Sequence, residues 1–250
     1  MVAGKRTVAI IQARMGSTRL PGKVMMNLAG EPMLSRIIAR TDRARLIDDT
    51  IVASTNKQED TRIVNLCKKL NVNCFRGSEN DLLDRYYQAA TKYRADFIVR
   101  ITADNPLNDP AIIDLVVQEI HDKQPHVHFV SSGLQSTYPL GIGASVIRFD
   151  ALEKAWKEDD DIRTREHVSP YIKNNPDLFK CVGISNELDQ SHMRWTVDTK
   201  EDLTFVRKVY AHFGNDLFSW RDVIDILEKN PAWININSHI KQKISLNSRL

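Results

Sequence analysis

The sequence predicts an α/β fold, a three-layer α/β/α sandwich around a mainly parallel mixed sheet, formed as a single domain over residues 1–250. Three observations carry this expectation. Short apolar, β-prone runs alternate with amphipathic helical stretches through the first half of the chain. Strands separated by helices of that size make βαβ units, and hence a mainly parallel sheet covered on both faces. The composition, 42% hydrophobic and 27% charged over 250 residues, suits an ordinary globular chain able to bury a sizeable core.

In order, residues 8–11 read as a first buried strand, and 32–43 as a helix burying Leu34, Ile37 and Ile38. Residues 50–53 form a second strand and 59–70 a second helix. Residues 72–75 and 80–93 repeat the pair, and 97–101 form a fourth strand. Asp109 caps the next helix, which has Pro110 at its first position and turns Ile112, Ile113, Val116 and Val117 inward. After His121 the rhythm changes. Residues 127–131 and 144–149 read as strands around a Gly- and Ser-bearing loop, and 150–157 and 162–174 as helices. A strand over 194–197 leads into a helix with Leu203, Val206, Val209, Tyr210 and Phe213 on one face. A last helix spans 219–228 and ends before Pro231. The polar tail from Asn235 is expected to fray or to pack on a partner.

Several function classes are excluded at this stage. A formal charge of +3 is small for this length and lacks the patch or stripe of a dedicated nucleic-acid binder. Cys67, Cys74 and Cys181 form no C-x-x-C pair, which argues against a disulfide framework or structural zinc and suits a reducing compartment. No apolar run is long enough for a signal-peptide core or a membrane span, so a cytoplasmic location is expected. His121, His126 and His128 lack a metal-ligand frame, and the four tryptophans are scattered as core or interface residues would be.

The most informative stretch is residues 12–23, QARMGSTRLPGK, directly after the first strand. Open α/β folds bind ligands at that edge of the sheet. Its glycines let the backbone approach a phosphate, its N–H groups can form an anion nest, and Arg14, Arg19 and Lys23 supply charge. The spacing of Gly16 and Gly22, with Val24 after Lys23, excludes a Walker A loop, and no dinucleotide fingerprint is present. A solvated basic turn is the plain alternative. Two aspartates, Asp104 in RITADNP and Asp198 in WTVDTKED, sit at strand ends facing the same edge. Mg²⁺ asks for one or two carboxylates plus substrate phosphates and water. The alternatives are an Asx-turn before Pro106 and a helix cap, although Thr199 with Asp202 already makes a capping-box-like pair.

The whole loop resembles the A-R-x-x-S-T-R-L-P-G-K signature of the cytidylyltransferases that activate 3-deoxy-manno-octulosonate and acylneuraminate. Residues 75–87, FRGSENDLLDRYY, and 163–171, RTREHVSPY, are similar to the spore coat polysaccharide biosynthesis protein F branch, and the resemblance spans roughly residues 6–213. It implies a nucleotide-diphospho-sugar transferase-like sandwich and an enzyme transferring CMP from CTP, with Mg²⁺ (or Mn²⁺) as cofactor. The implied acceptor is a small anion: an acidic sugar, a phosphonate or a phosphorylated metabolite of surface polysaccharide or glycoconjugate synthesis. Arg14 and Lys23 are the implied catalytic cations. Ala13, Gly16, Ser17, Arg76, Gly77, Ser78 and Arg85 are the implied nucleotide contacts, with Arg76 and Ser78 near the cytosine. Asp104 and Asp198 are the implied metal ligands.

An acceptor-binding and dimerisation subregion is expected over residues 122–185, in a homodimer that binds neither nucleic acid nor membrane. Tyr138, Gly141, Arg163, Arg165 and His167 are the acceptor candidates. The last three are equally readable as surface charges on a helix. Gly143 and Ser145 stand where many relatives carry Asp and Glu, so the usual family substrate does not transfer. A glycosyltransferase of related fold would need a D-x-D-like motif, which the turn 102–104 lacks. A non-catalytic nucleotide-binding protein would not need Lys23, Asp104 and Asp198 together.

Overall fold

A computed structural model describes residues 4–242. The first strand, β1 (Thr7–Gln12), is almost wholly buried. Because side chains alternate across a strand, Ala9 and Ile11 enter one core and Val8 and Ile10 the other. After the loop come a two-residue hairpin, β2 (Asn27–Leu28) and β3 (Glu31–Pro32), and helix α1 (Met33–Thr41). Then follow β4 (Asp49–Thr55), α2 (Thr61–Leu70), β5 (Asn73–Gly77), α3 (Leu82–Lys92) and β6 (Phe97–Thr102). The four long strands run parallel in the order β5-β4-β1-β6, so the connection reverses direction between β1 and β6. A crevice opens at such a switch point, beyond the carboxyl ends of the strands.

Helix α4 (Pro110–Asp122) is capped as expected: Asp109 accepts from Ala111 N at 2.9 Å, and its other oxygen accepts from Trp220 N at 2.7 Å. The sheet is completed by β7 (Phe129–Ser131), β8 (Ser145–Arg148) and β9 (Cys181–Gly183), giving seven strands in the order β5-β4-β1-β6-β8-β7-β9. Only β8 runs against the others. Helices α5 (Phe149–Glu158), α6 (Ile162–Arg165) and α7 (Pro170–Asn174) precede β9, and α8 (Lys200–Phe213) and α9 (Trp220–Lys229) close the chain. One core receives α1, α2, α4, α8 and α9, and the other receives α3, α5 and α7. The expected three-layer sandwich with a mixed, mainly parallel sheet is what the chain forms.

Three local expectations are corrected. The helix expected over 162–174 is two short helices, because Pro170 has no amide proton to continue the hydrogen-bond ladder and instead takes the first position of the second helix. The strand expected over 194–197 is an extended segment with one bridge, Leu140 to Arg194. Its backbone groups bond outside the sheet, Trp195 N to Leu140 O at 2.7 Å and Val197 N to Asp104 O at 2.7 Å. The tail from Asn235 packs on its own chain as far as it is described: Asn237 is buried and donates to Arg194 O and Asp202.

The bridge depends on Gly141, whose φ is +113°; a Cβ there would sit 2.4 Å from Thr196 N. Both the left-handed backbone and the close approach exclude a side chain. Gly141→Ala is therefore expected to cost about 3 kcal/mol or more, read as a lower denaturation midpoint with an unchanged m-value in urea.

Candidate active site

The loop after β1 is folded down onto the sheet by a buried carboxylate. Asp60 accepts from Met15 N at 2.6 Å, from Thr55 N at 3.2 Å, and from the Thr55 hydroxyl. Met15 O in turn accepts from Ser17 N at 3.0 Å and Gly22 N at 2.9 Å, and Ser17 Oγ accepts from Leu20 N at 3.3 Å. Gly22 adopts φ +69°, which reverses the chain into the short helical turn Lys23–Met25. Leu20 and Val24 are buried as anchors. The result aims Lys23 inward beneath the loop.

Lys23 is 8% exposed, and its ammonium uses all three donors. It donates to Val197 O at 2.7 Å, Asp198 Oδ1 at 2.9 Å and Asp104 Oδ2 at 3.2 Å. The two carboxylates that the sequence picked out at strand ends thus converge on one nitrogen. Asp198 also pairs with Arg19 at 2.8 Å and Arg194 at 3.0 Å. Burial pushes the Asp198 carboxyl up, but Lys23, Arg19 and Arg194 together hold it below the usual carboxylate range. The capping box lies beside it. Asp202 accepts from Thr199 N and Thr199 accepts from Asp202 N, so α8 is capped without Asp198.

Three connected cavities follow the carboxyl edge. The central one, about 250 Å³, is walled by Ser17, Arg19, Lys23, Asp104 and Asp198. A second, about 260 Å³, shares Gln12, Ala13 and Arg14 with it and adds Glu79, Asn80 and Arg85. A third, about 450 Å³, shares Thr102 with the centre and is bounded by Arg100, Tyr138, Gly141 and several serines. Arg85 is 4% exposed, and its Nε and Nη1 have no hydrogen-bond partner among the described residues. Burial lowers its pKa from the ordinary guanidinium value.

The remaining sequence candidates divide. Ala13, Arg14, Gly16 and Ser17 lie on the cavity walls, and Arg14 is 3.6 Å from Glu79. Arg76 donates instead to the backbone carbonyls of Thr55 and Lys57, Gly77 packs against Arg85, and Ser78 Oγ accepts from Asp81 N. Tyr138 and Gly141 border the third cavity and His167 borders the second. Arg163 pairs with Asp161, and Arg165 with Asp81 and the carbonyls of Trp156 and Asp159; neither borders these cavities. Sequence reasoning assigned no role to Arg100 or Gln12. An arginine inside the apolar run FIVRIT was the available signal for Arg100. Gln12 carried none beyond its position at the strand end.

A parallel-stranded sandwich with a basic loop, two convergent carboxylates and a groove at the switch point defines a nucleotidyltransferase. The chain belongs to the cytidylyltransferase family, whose model matches residues 8–229. It is 42% identical over 240 residues to an uncharacterised protein of Methanocaldococcus jannaschii, covering 95% of this chain and 97% of that one. It is 31% identical over 239 residues to the spore coat polysaccharide biosynthesis protein SpsF of Bacillus subtilis, covering 89% and 94%. The solved structure of a cytidylyltransferase from Leptospira borgpetersenii superposes with a TM-score of 0.89 at 34% identity, covering 96% of this chain and 99% of that one. Among the described residues, no helix is long and apolar enough to cross a membrane.

Arg194 holds the wall of the centre from behind, bonded through Nε and Nη2 to Asp202 at 2.8 and 2.9 Å. Burial raises the Asp202 carboxyl, and Arg194, Asn237 and the Asp198 amide lower it further than that, to a net value below the ordinary one. A depressed carboxyl stabilises the fold above its unfolded pKa, about 3.9, and loses that contribution as pH falls through the folded value. Arg194→Ala is expected to cost about 3–5 kcal/mol near neutral pH. The gap to wild type should narrow below about pH 4, which denaturant titrations at stepped pH will read. A pH-independent gap would count against the ion pairs as its source.

Proposed function

We propose that this chain transfers a cytidylyl group from CTP to a small anionic acceptor with release of pyrophosphate. The observation that carries the reading is the convergence of Asp104 and Asp198 on Lys23 beneath the basic loop. Such a pair, with few other donors, fits Mg²⁺, which completes its shell with phosphate oxygens and water; Mn²⁺ is expected to substitute. When bound there, the ion would neutralise phosphate charge and orient the reacting groups. An acceptor oxygen attacks the α-phosphorus, losing to water any proton it carries; a new P–O bond forms, and the bond to the β-phosphate oxygen breaks with its electron pair leaving on pyrophosphate. Lys23 and Arg14 share a cavity with this centre, and their positive charge stabilises the negative charge that grows on the leaving group. Catalysis is positioning and charge neutralisation, with no covalent role for a side chain.

The second cavity suits the base. The Arg85 guanidinium makes no hydrogen bond with any described residue, so its Nε–Nη2 edge can meet two adjacent acceptors, and cytosine presents such a pair, O2 and N3. Uracil carries a proton on N3, which would face a donor and leave the guanidinium half-satisfied. The spore coat relative suggests surface polysaccharide or glycoconjugate synthesis as the setting.

Pyrophosphate release measured with each nucleotide and a set of acidic acceptors tests the reading, with CTP expected to exceed UTP, ATP and GTP and turnover to require a divalent ion. Turnover in chelator would defeat it. Lys23→Ala is expected to lower kcat by about 10²–10³ with a much smaller change in CTP affinity. Arg85→Gln should erode the preference for CTP over UTP by at least about tenfold; an undiminished preference would remove Arg85 from base recognition.

A further inference from the structure

Most guanidiniums of this protein are spent on internal bonds. Arg40, Arg165 and Arg194 are each fastened to backbone carbonyls or carboxylates. Arg100 differs. It lies on β6 in an otherwise apolar run, opposite Ile10 of β1 and Ser145 of β8. Its side chain is half-buried and forms no ion pair and no hydrogen bond with any described residue, and Nε has lost its water without gaining a partner. A buried donor left this way has given up water without recompense, which destabilises the free protein. The fold carries that cost at a position that borders the third cavity.

The cavity itself selects a kind of ligand. At about 450 Å³ it falls within the range for small molecules, roughly 300–1,000 Å³. Ser131, Ser132, Ser136, Ser145, Thr102 and Tyr138 bring hydroxyls to its wall, Arg100 brings the charge, and among the described residues no carboxylate borders it. Two further bases sense the same uncompensated field. Partial desolvation first, and the Arg100 cation second, hold both His167 and Lys173 below their ordinary pKa values. Thr102 joins this cavity to the one containing Asp104 and Asp198. Asp104 lies four positions after Arg100, at most roughly 13 Å of extended chain, a span that one small molecule can bridge.

We propose that Arg100 is the positioning residue that anchors the acceptor's oxyanion, with the hydroxyls of the third cavity around it. The inference rests on the cytidylyltransferase reading above and gives its acceptor half a residue and a chemistry. A planar guanidinium with free donors matches either oxyanion in a bidentate pair, while the serine hydroxyls match the acceptor's own. This replaces Arg163 and Arg165, whose forks are already occupied by Asp161 and Asp81.

The test is calorimetric titration of the full chain, saturated with a non-hydrolysable CTP analogue and Mg²⁺. The probes are 3-deoxy-manno-octulosonate, glucuronate and glucose 6-phosphate, with neutral glucose as the reference. At least one acid is expected to bind wild type ten times more tightly than glucose, and the carboxylate and phosphate probes separate the two head groups. Arg100→Ala should lose that preference, Arg100→Lys should recover part of it, and glucose and nucleotide affinities should stay within twofold. The melting temperature of Arg100→Ala should be equal to or above wild type, because an unbonded arginine contributes no internal contact; a structural role would lower it. The proposal is overturned if acids and glucose bind wild type alike, or if Arg100→Ala keeps the preference. Failure of the nucleotide analogue to bind wild type would instead defeat the underlying cytidylyl reading, and the anchor with it.

Discussion

The ammonium of Lys23 is the point on which three separated pieces of the chain meet. It is carried by the loop after β1, and its three protons go to the turn after β6 and to the segment before α8. Around it, Lys23, Arg19 and Arg194 balance Asp104, Asp198 and Asp202, three cations against three carboxylates. Burying any of these alone would be expensive, and the cluster is stable because each charge has an opposite within bonding distance. The loop cannot take another course without stranding Asp104 and Asp198. The carboxylates cannot separate without stranding the lysine.

This arrangement explains why the groove has a stiff middle and receptive flanks. In the central cavity the Lys23 ammonium is fully engaged by the protein. In the flanking cavities Arg85 and Arg100 keep donors with no protein partner among the described residues. An unpaired buried donor weakens the free protein and is rewarded only when a ligand arrives, so its presence marks where binding energy is reserved. The two flanks therefore differ from the centre in kind.

Much of the fold could be read from residue patterns, and the reason is burial. The runs at 8–11, 50–53 and 97–101 are covered on both faces, so they stand out as mainly apolar stretches beside helices with one apolar stripe. The segment at 194–197 misled because Trp195 and Val197 are as buried as strand residues, although their backbone partners are Leu140, Asp104 and Lys23. Edge strand β9 escaped notice because three half-exposed residues make too little pattern. At the site, Lys23 and Asp104 were legible together because the loop after β1 and the turn after β6 must share an edge of the sheet, whereas Asp198 reaches that edge through a segment bonded to the Asp104 turn rather than as a strand end. The fate of Arg163 and Arg165 was not legible, because it depends on which carboxylate lies nearest in space. Asp81 is distant in sequence from Arg165 and bonds to it at 2.8 Å.

The single reversed strand, β8, has an effect on how the protein can diversify. Since β7 ends and β8 begins at the carboxyl edge, the connection 132–144 hangs over the groove as an open loop rather than passing behind the sheet as a crossover helix. The basic-loop side of the groove is made by parallel strands whose loops are locked to one another through Lys23. The opposite wall is made by a hairpin that shares only Gly141 and its neighbours with that lock. Lengthening or rewriting the exposed tip of the connection, residues 133–136, leaves the register of the parallel strands untouched, while Tyr138, Ile142 and Ala144 stay anchored in the core. A lineage, or an engineer, can thus exchange one wall of the groove as a cassette while the machinery opposite is inherited whole.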